Sequence, residues 1–457
     1  MFCSPEDTGR DDRVSIVLVD RDRFDAWRDG AGEIQRRWAE HATFKAEPGT
    51  YLLVPGDDGR PSTVLVGHDV ARPFWTLAGL PAALPAGCYE LAGLSADAPL
   101  ESLALGWALG HYRFDRYKSA PGSEARLALP EEARTRVEII RDALFRVRDL
   151  VNTPAADLGP AELADAVTQV ADRCNGDVEI IDGDRLRDEF PAVHAVGQAA
   201  SRAPRLIRLE WGNPGHPPLA LVGKGVVFDS GGLNIKPASG MVLMKKDMGG
   251  AAHVIGLAEM IMRLALPVHL RVYIPAVENA IAGNAYRPSD IVTTRNGTTV
   301  EIGNTDAEGR VILSDALTFA AEEEAERIID FATLTGAARV ALGEDLPPLY
   351  ARDAAQARAI QDLGMELEDP VWHMPLYPPY KQQIQPAIAD LSNTGTTAQG
   401  GSLTAALFLD HFVPEGLDWM HLDIYAWNLN DRAGRPAGGE AQALRTMLAW
   451  LERSYGA

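Results

Sequence analysis

Cysteine is scarce in this sequence: Cys3, Cys88 and Cys174 are the only three in 457 residues, and no two share a paired spacing. Such a set argues against a disulfide framework and against a zinc site built on thiolates, and it suits a reducing cytoplasm. No window holds eighteen consecutive apolar residues, so no transmembrane helix is expected. The opening Met1-Phe2-Cys3-Ser4-Pro5-Glu6-Asp7 is acidic and lacks an apolar stretch, so no secretory signal is expected there. Positive charge is also short, with 43 Lys and Arg against 64 Asp and Glu, a net −21. Basic residues form pairs such as Arg36-Arg37 and Lys245-Lys246 but no sustained run. Nucleic acid and membrane surfaces are therefore not expected partners. The sequence contains no His-Glu-x-x-His, no Cys-x-x-Cys and no Gly-x-Ser-x-Gly, and its ten histidines are scattered.

What is present is an ordinary globular composition, 46% hydrophobic and 23% charged, in a chain long enough for two domains. Residues 1–122 read as a small N-terminal α/β domain, with strands at 14–19, 51–54 and 63–66 and helical character at 24–39 and 106–117. The Ser/Gly/Pro cluster at 119–123 is the strongest linker signal, and one amphipathic helix over 130–150 is expected to follow it. Residues 123–150 are thus a linker helix and 151–457 a larger catalytic domain. There, apolar runs at 178–181, 206–209, 219–222, 268–274, 328–331 and 419–424 alternate with helical stretches at 251–264, 310–324, 404–412 and 441–453. Continuous apolar strands flanked by helices predict a mostly parallel central sheet covered on both faces.

In such sheets ligands sit beyond the carboxyl ends of strands. Three charged clusters stand at strand ends. Lys224, Asp229 and Lys236 lie among glycines after the run 219–222. Asp247 follows Met244, Lys245 and Lys246 just before a small-residue helix start. Asp306, Glu308 and Arg310 lie in Asn-Thr-Asp-Ala-Glu-Gly-Arg, residues 304–310. Taken alone, the last cluster reads equally as a helix N-terminus with a polar cap and Glu in its first turn, and Asp247 as an N-cap. A phosphate loop at Gly223-Lys224 fails, because Pro218 stands where the first glycine belongs and Gly225 where Ser or Thr belongs. If the clusters converge, four carboxylates need counter-charge, which two divalent ions would supply. His421, inside a strand, reads as structural.

With these spacings the chain resembles the leucyl aminopeptidases, the two-metal exopeptidases of family M17. The segments 224–236, 244–252, 304–310 and 330–337 carry the likeness, which spans 148 to the C-terminus. The resemblance implies that Asp229 and Glu308 bridge two metals, that Asp306 completes one site, and that Lys224, as a neutral amine, completes the other with Asp247. It implies that Lys236 stabilises the oxyanion and that Arg310 holds a bicarbonate acting as general base. Leu334 and Gly336 would meet substrate through backbone groups, Met244 and Thr333 would line the first side-chain pocket, and Asn304 would join the substrate-binding set. It further implies a cytoplasmic homohexamer acting on short peptides, with leucine-like first residues preferred. Zinc, manganese, magnesium and cobalt all suit such ligands. Residues 425–428, Tyr-Ala-Trp-Asn, depart from the small residues common there, which loosens the leucine expectation. A regulatory or nucleic-acid-binding protein on the same fold, and a two-metal phosphoesterase, are the alternatives.

Overall fold

The structure, a computed structural model, describes residues 1–4, 13–95, 97–119 and 121–456. Residues 5–7 of the acidic N-terminus and Ala120 of the Ser/Gly/Pro cluster lie outside the described residues. The chain folds as two compact units, Met1–Asp142 with Asn430–Ala437, and Ala143–Leu429 with Gly438–Ala457.

The first unit is built on β1 (Phe2–Cys3), β2 (Arg13–Val19), β3 (Tyr51–Pro55), β4 (Pro61–Gly67), β5 (Gly87–Ala92) and β6 (Ala125–Ala128), in the order β1-β6-β5-β2-β4-β3. Only β3 runs antiparallel to its neighbour. Val19, Phe24, Ala39, Ala46, Val54 and Leu65 form a core beside this sheet. Two expectations need correcting. The helix expected over 24–39 is two helices, Arg21–Gly30 and Glu33–His41, because Ala31 and Gly32 between them are extended. The helical character at 106–117 belongs to Leu100–Leu109, and the chain leaves the helix at Gly110. A Cβ on Gly110 would stand 2.2 Å from the Ala78 carbonyl oxygen, so the chain passes too close there for a side chain. The cysteine reading is corrected as well: Cys3 and Cys88 form a disulfide, with 7.0 Å between their Cα atoms. Strands β1 and β5 flank β6, and this sheet order brings together cysteines 85 residues apart.

The second unit carries β7 (Asp177–Ile181), β8 (Arg205–Trp211), β9 (Pro218–Gly223), β10 (Gly225–Asp229), β11 (His269–Asn279), β12 (Ile291–Thr293), β13 (Thr299–Glu301), β14 (Arg327–Ala332), β15 (Pro348–Ala351), β16 (Trp372–His373), β17 (Leu391–Ser392) and β18 (Asp418–Asp423). The main sheet runs β16-β15-β18-β14-β9-β11-β8-β7, with β10 also on β11. From β18 through β14, β9 and β11 to β10 every pairing is parallel, and the antiparallel pairings are confined to the flanks. Helix Gly249–Arg263 is buried along almost its whole length, as is Glu308–Glu322. Strands with helices on both faces are buried on both sides, which is why Leu219, Ala220, Leu221 and Val222 read as one unbroken apolar run. Two α/β units, the second with a mostly parallel sheet, are the architecture expected from the sequence.

Candidate active site

The parallel block ends in one place. Strands β9 and β10 follow each other along the same edge of β11, which pairs with residues 218–222 and then 225–229. Lys224 stands in the break, its N–H on the Phe331 carbonyl and its own carbonyl taking the N–H of Ala251. Its side chain is thereby sent off the strand end while its backbone stays paired. Asp229 ends β10. The turn after it passes through Gly231 and Gly232, both at positive φ (+87° and +62°), and brings Lys236 back toward Asp229. Asp247 lies in the short 3-10 turn Met244–Met248, ahead of helix Gly249–Arg263. Glu308 opens helix Glu308–Glu322, and Asp306 lies two residues before it.

Neither acidic cluster is a helix cap. Ala307, not Asp306, holds the cap position before Glu308, without a side-chain hydrogen bond. Asp247 accepts from Thr333 Oγ1 at 2.7 Å instead of from its own helix. These carboxylates are spent on the site.

Lys224 Nζ lies 2.8 Å from Asp247 Oδ2 and 2.9 Å from Glu308 Oε1, and donates to the Thr333 carbonyl at 2.9 Å. Lys236 Nζ is 2.7 Å from Asp229 Oδ2 and closer still to Asp306 Oδ1. Gly309 makes room for this packing, since a Cβ there would stand 2.7 Å from Lys224 Nζ. The Asn279 amide and the Gly231 N–H each hold Asp229 Oδ1 at 2.8 Å. Asn304 turns its Oδ1 to the Asp306 N–H at 2.8 Å, fixing the turn that presents that carboxylate. Asn393 secures the same turn, donating to the Asn304 carbonyl and accepting from the Gly303 N–H.

The electrostatics are those of crowded carboxylates. Burial, reinforced by the charge of Asp229, pushes Glu308 up to about 8 and Asp306 up to about 6. Burial opposes the ammonium of Lys224, but Asp247, Glu308 and Asp229 outweigh it and raise its pKa above the ordinary lysine value. Lys236 is raised likewise, by Asp229 and Asp306. Burial lowers Arg310 to about 10 against the pull of Asp423 and Glu308, and its Nε has no hydrogen-bond partner.

Asp229, Asp306 and Glu308 each aim an oxygen into a cluster whose atoms lie within 4.8 Å of one another. Asp247 Oδ2 and Glu308 Oε1 face the Lys224 ammonium, and Asp306 Oδ1 faces that of Lys236. Converging buried carboxylate oxygens of this kind fit divalent cations. A cavity of about 320 Å³ opens beside them, lined among others by Lys224, Lys236, Met244, Thr333, Leu334 and Gly336. Asn304 and Arg310 do not line it.

The profile of the cytosol aminopeptidase family catalytic domain matches residues 145–448, and that of the M17 aminopeptidase N-terminal domain matches 14–130. The chain belongs to the M17 cytosol aminopeptidase family. It is a metal-dependent exopeptidase that releases N-terminal residues. A probable cytosol aminopeptidase of Syntrophotalea carbinolica is 40% identical over 382 residues, covering 79% of this chain and 76% of that protein. The crystal structure of a cytosol aminopeptidase from Coxiella burnetii has a TM-score of 0.95 at 46% identity, covering 98% of both chains. A bottromycin maturation enzyme solved in complex with Mn has a TM-score of 0.88 at 32% identity, covering 97% of this chain and 99% of that one.

Several supporting residues of this family member escaped the sequence reading. Asp423, at the end of β18, takes the N–H groups of Leu334 and Thr335 and the Thr335 hydroxyl, shaping the turn after β14. Asn279, at the end of β11, orients Asp229. Both end strands of the parallel block; Asp423 also lies in the stretch 421–424, which shares the family likeness, although that likeness gave this residue no role. Lys246, seen in the sequence only as part of a basic pair, is buried and lines the cavity, and burial lowers its pKa to about 8. His421 is buried against Trp419 and Tyr350, its Nδ1 2.5 Å from Asp330 Oδ1, away from the cavity.

Proposed function

We propose that this aminopeptidase works with two divalent ions, zinc, manganese, magnesium or cobalt, held by Lys224, Asp229, Asp247, Asp306 and Glu308. The convergence of the Asp229, Asp306 and Glu308 oxygens is the observation that carries this reading. Asp306 would hold one ion, Asp247 and Lys224 the other, Lys224 as the neutral amine left once the ions take over the carboxylates that hold its proton, and Asp229 and Glu308 would serve both. Bound ions supply Lewis acidity and a hydroxide near neutral pH.

The chain's own groups do the rest. With the four carboxylates offset by bound ions, a free amino terminus would be taken as a neutral amine donor to an ion, which favours exopeptidase over internal cleavage. Lys236, whose ammonium the raised pKa keeps charged, donates to the carbonyl oxygen of the scissile bond as negative charge develops on it. Arg310, buried and with Nε unpaired, would hold a small anion such as bicarbonate, which would supply a general base. Leu334 and Gly336 offer backbone groups to the substrate, and Met244 and Thr333 line the space for its first side chain. Asn304 acts at one remove, through the Asp306 N–H.

Short peptides with a free N-terminus are the substrates, the assembly is a homohexamer, and the compartment is the cytoplasm. No helix among the described residues is long and apolar enough to cross a membrane. The Cys3–Cys88 disulfide pulls the other way on compartment. The test of the metal set is Glu308→Ala or Asp306→Ala: either should abolish peptidase activity, and full activity in either refutes the assignment.

A further inference from the structure

A buried cation in the cavity meets no anion among the described residues. Of the two lysines in the turn Met244–Met248, Lys245 donates to the Asn152 carbonyl at 2.5 Å and lies over the Trp427 ring. Lys246 is only 6% exposed, yet its ammonium meets no carboxylate oxygen of the described residues within 4.0 Å and makes no hydrogen bond with them. Its neighbour is the ring of Tyr425, whose centroid is 4.7 Å from Nζ. Arg339, from helix Gly336–Leu342, lies over that same ring at 4.9 Å. Both cations line the cavity together with Tyr425. A ring face offsets a cation only weakly, and two cations sharing one ring repel each other.

Three of the anions nearby are engaged elsewhere. Asp247 and Glu308 face Lys224, and Asp423 is held by Leu334 and Thr335. Glu344 also lines the cavity, with Oε2 unpaired, but lies beyond 4.0 Å of both cations. A buried charge without a counter-ion costs stability unless a ligand supplies one.

We propose that Lys246 and Arg339 receive the side-chain carboxylate of the substrate's first residue, so that this aminopeptidase prefers peptides beginning with Glu or Asp. The proposal rests on reading this cavity as the place of the peptide N-terminus. Lys246 adjoins Asp247 in the chain, and Tyr425 follows Asp423 by two residues, which sets the cationic wall beside the charged cluster. Leu243 and Met244 line the same cavity and suit the methylene stem. A charge-assisted hydrogen bond to a buried ammonium is among the stronger polar contacts a substrate can make.

The test uses the full-length enzyme loaded with Mn and the p-nitroanilides of Glu, Leu and Lys. These substrates carry no terminal carboxylate, so only the first side chain is read. Glu should exceed Leu in kcat/KM. Lys246→Met should lower the Glu:Leu ratio by about 10-fold or more, and Lys246→Arg should keep most of it. Arg339→Glu, on the exposed side of the cavity, should move selectivity from Glu toward Lys; it decides the matter if Lys246→Met proves inactive on all three. The proposal is overturned if Leu or Lys is preferred, if the ratios do not move, or if acid preference appears only with dipeptides bearing a free C-terminal carboxylate. Turnover of Leu anilide reports the peptidase chemistry separately, so failure of the selectivity and failure of the underlying reading are distinguishable.

Discussion

Lys236 shows how much one side chain can be asked to do. It is held between Asp229 and Asp306, which keep it charged, and it reaches the cavity. Lys236→Met removes a donor needed chiefly when charge develops on the carbonyl. It should lower kcat by about 10²–10³-fold with little change in KM, read by steady-state kinetics on an anilide substrate. An unchanged kcat would remove Lys236 from the chemistry. Glu308→Ala should lower activity by at least about 10²-fold and lower the metal content of the purified protein, measured by atomic emission. At this scale the sequence was informative where charge stands at a strand end: Lys224, Asp229, Asp247, Asp306 and Glu308 were legible as a set and do converge. Asn279 and Asp423 were not, because their work is to orient other groups, which leaves no compositional mark. Nor does adjacency in sequence say which of Lys245 and Lys246 faces the cavity.

Between elements, the active-site helix is tied down by a buried carboxylate. Asp315, on helix Glu308–Glu322, accepts from the N–H groups of Ala192 and Arg295, each at 2.8 Å, and of Val193 at 3.3 Å. It thus caps the neighbouring helix Pro191–Gly197 from outside. Asp315→Ala leaves those buried donors unpaired and should cost about 2–4 kcal/mol of stability, seen as a lower denaturant midpoint with unchanged slope. A midpoint equal to the parent's would contradict this. The run 219–222 was legible as a strand because a strand covered on both faces has no polar side; the other five carry polar residues such as Glu179, Arg208 and Asp330 and were legible by their mainly apolar content. Helices Pro160–Cys174 and Ala354–Glu366 went unread, and the broken helix at 31–32 was read as continuous. Gly110, where its helix ends, lies too close to the Ala78 carbonyl to carry a side chain, a contact that sequence alone does not display.

For the whole molecule, metal and fold are linked. Ions that bind the native site and not the unfolded chain stabilise by mass action, about 2.7 kcal/mol at a hundredfold excess over Kd. Chelation should therefore lower the melting temperature, and manganese or zinc should restore it in a saturable way by calorimetry; a melting curve indifferent to metal would contradict the proposed ligand set. The two-unit α/β plan was visible in composition and alternation, whereas the Cys3–Cys88 pairing was not, since only the strand order of the first sheet makes it geometrically available. The central claim is that this carboxylate and lysine cluster is a metal-dependent machine for removing N-terminal residues. Its most direct test is hydrolysis of a panel of aminoacyl anilides by chelator-treated enzyme, before and after adding manganese or zinc. The account predicts no turnover without metal and restored release of the free first residue with it. Full turnover by metal-free enzyme, or none on any substrate with two ions bound per chain, would contradict it.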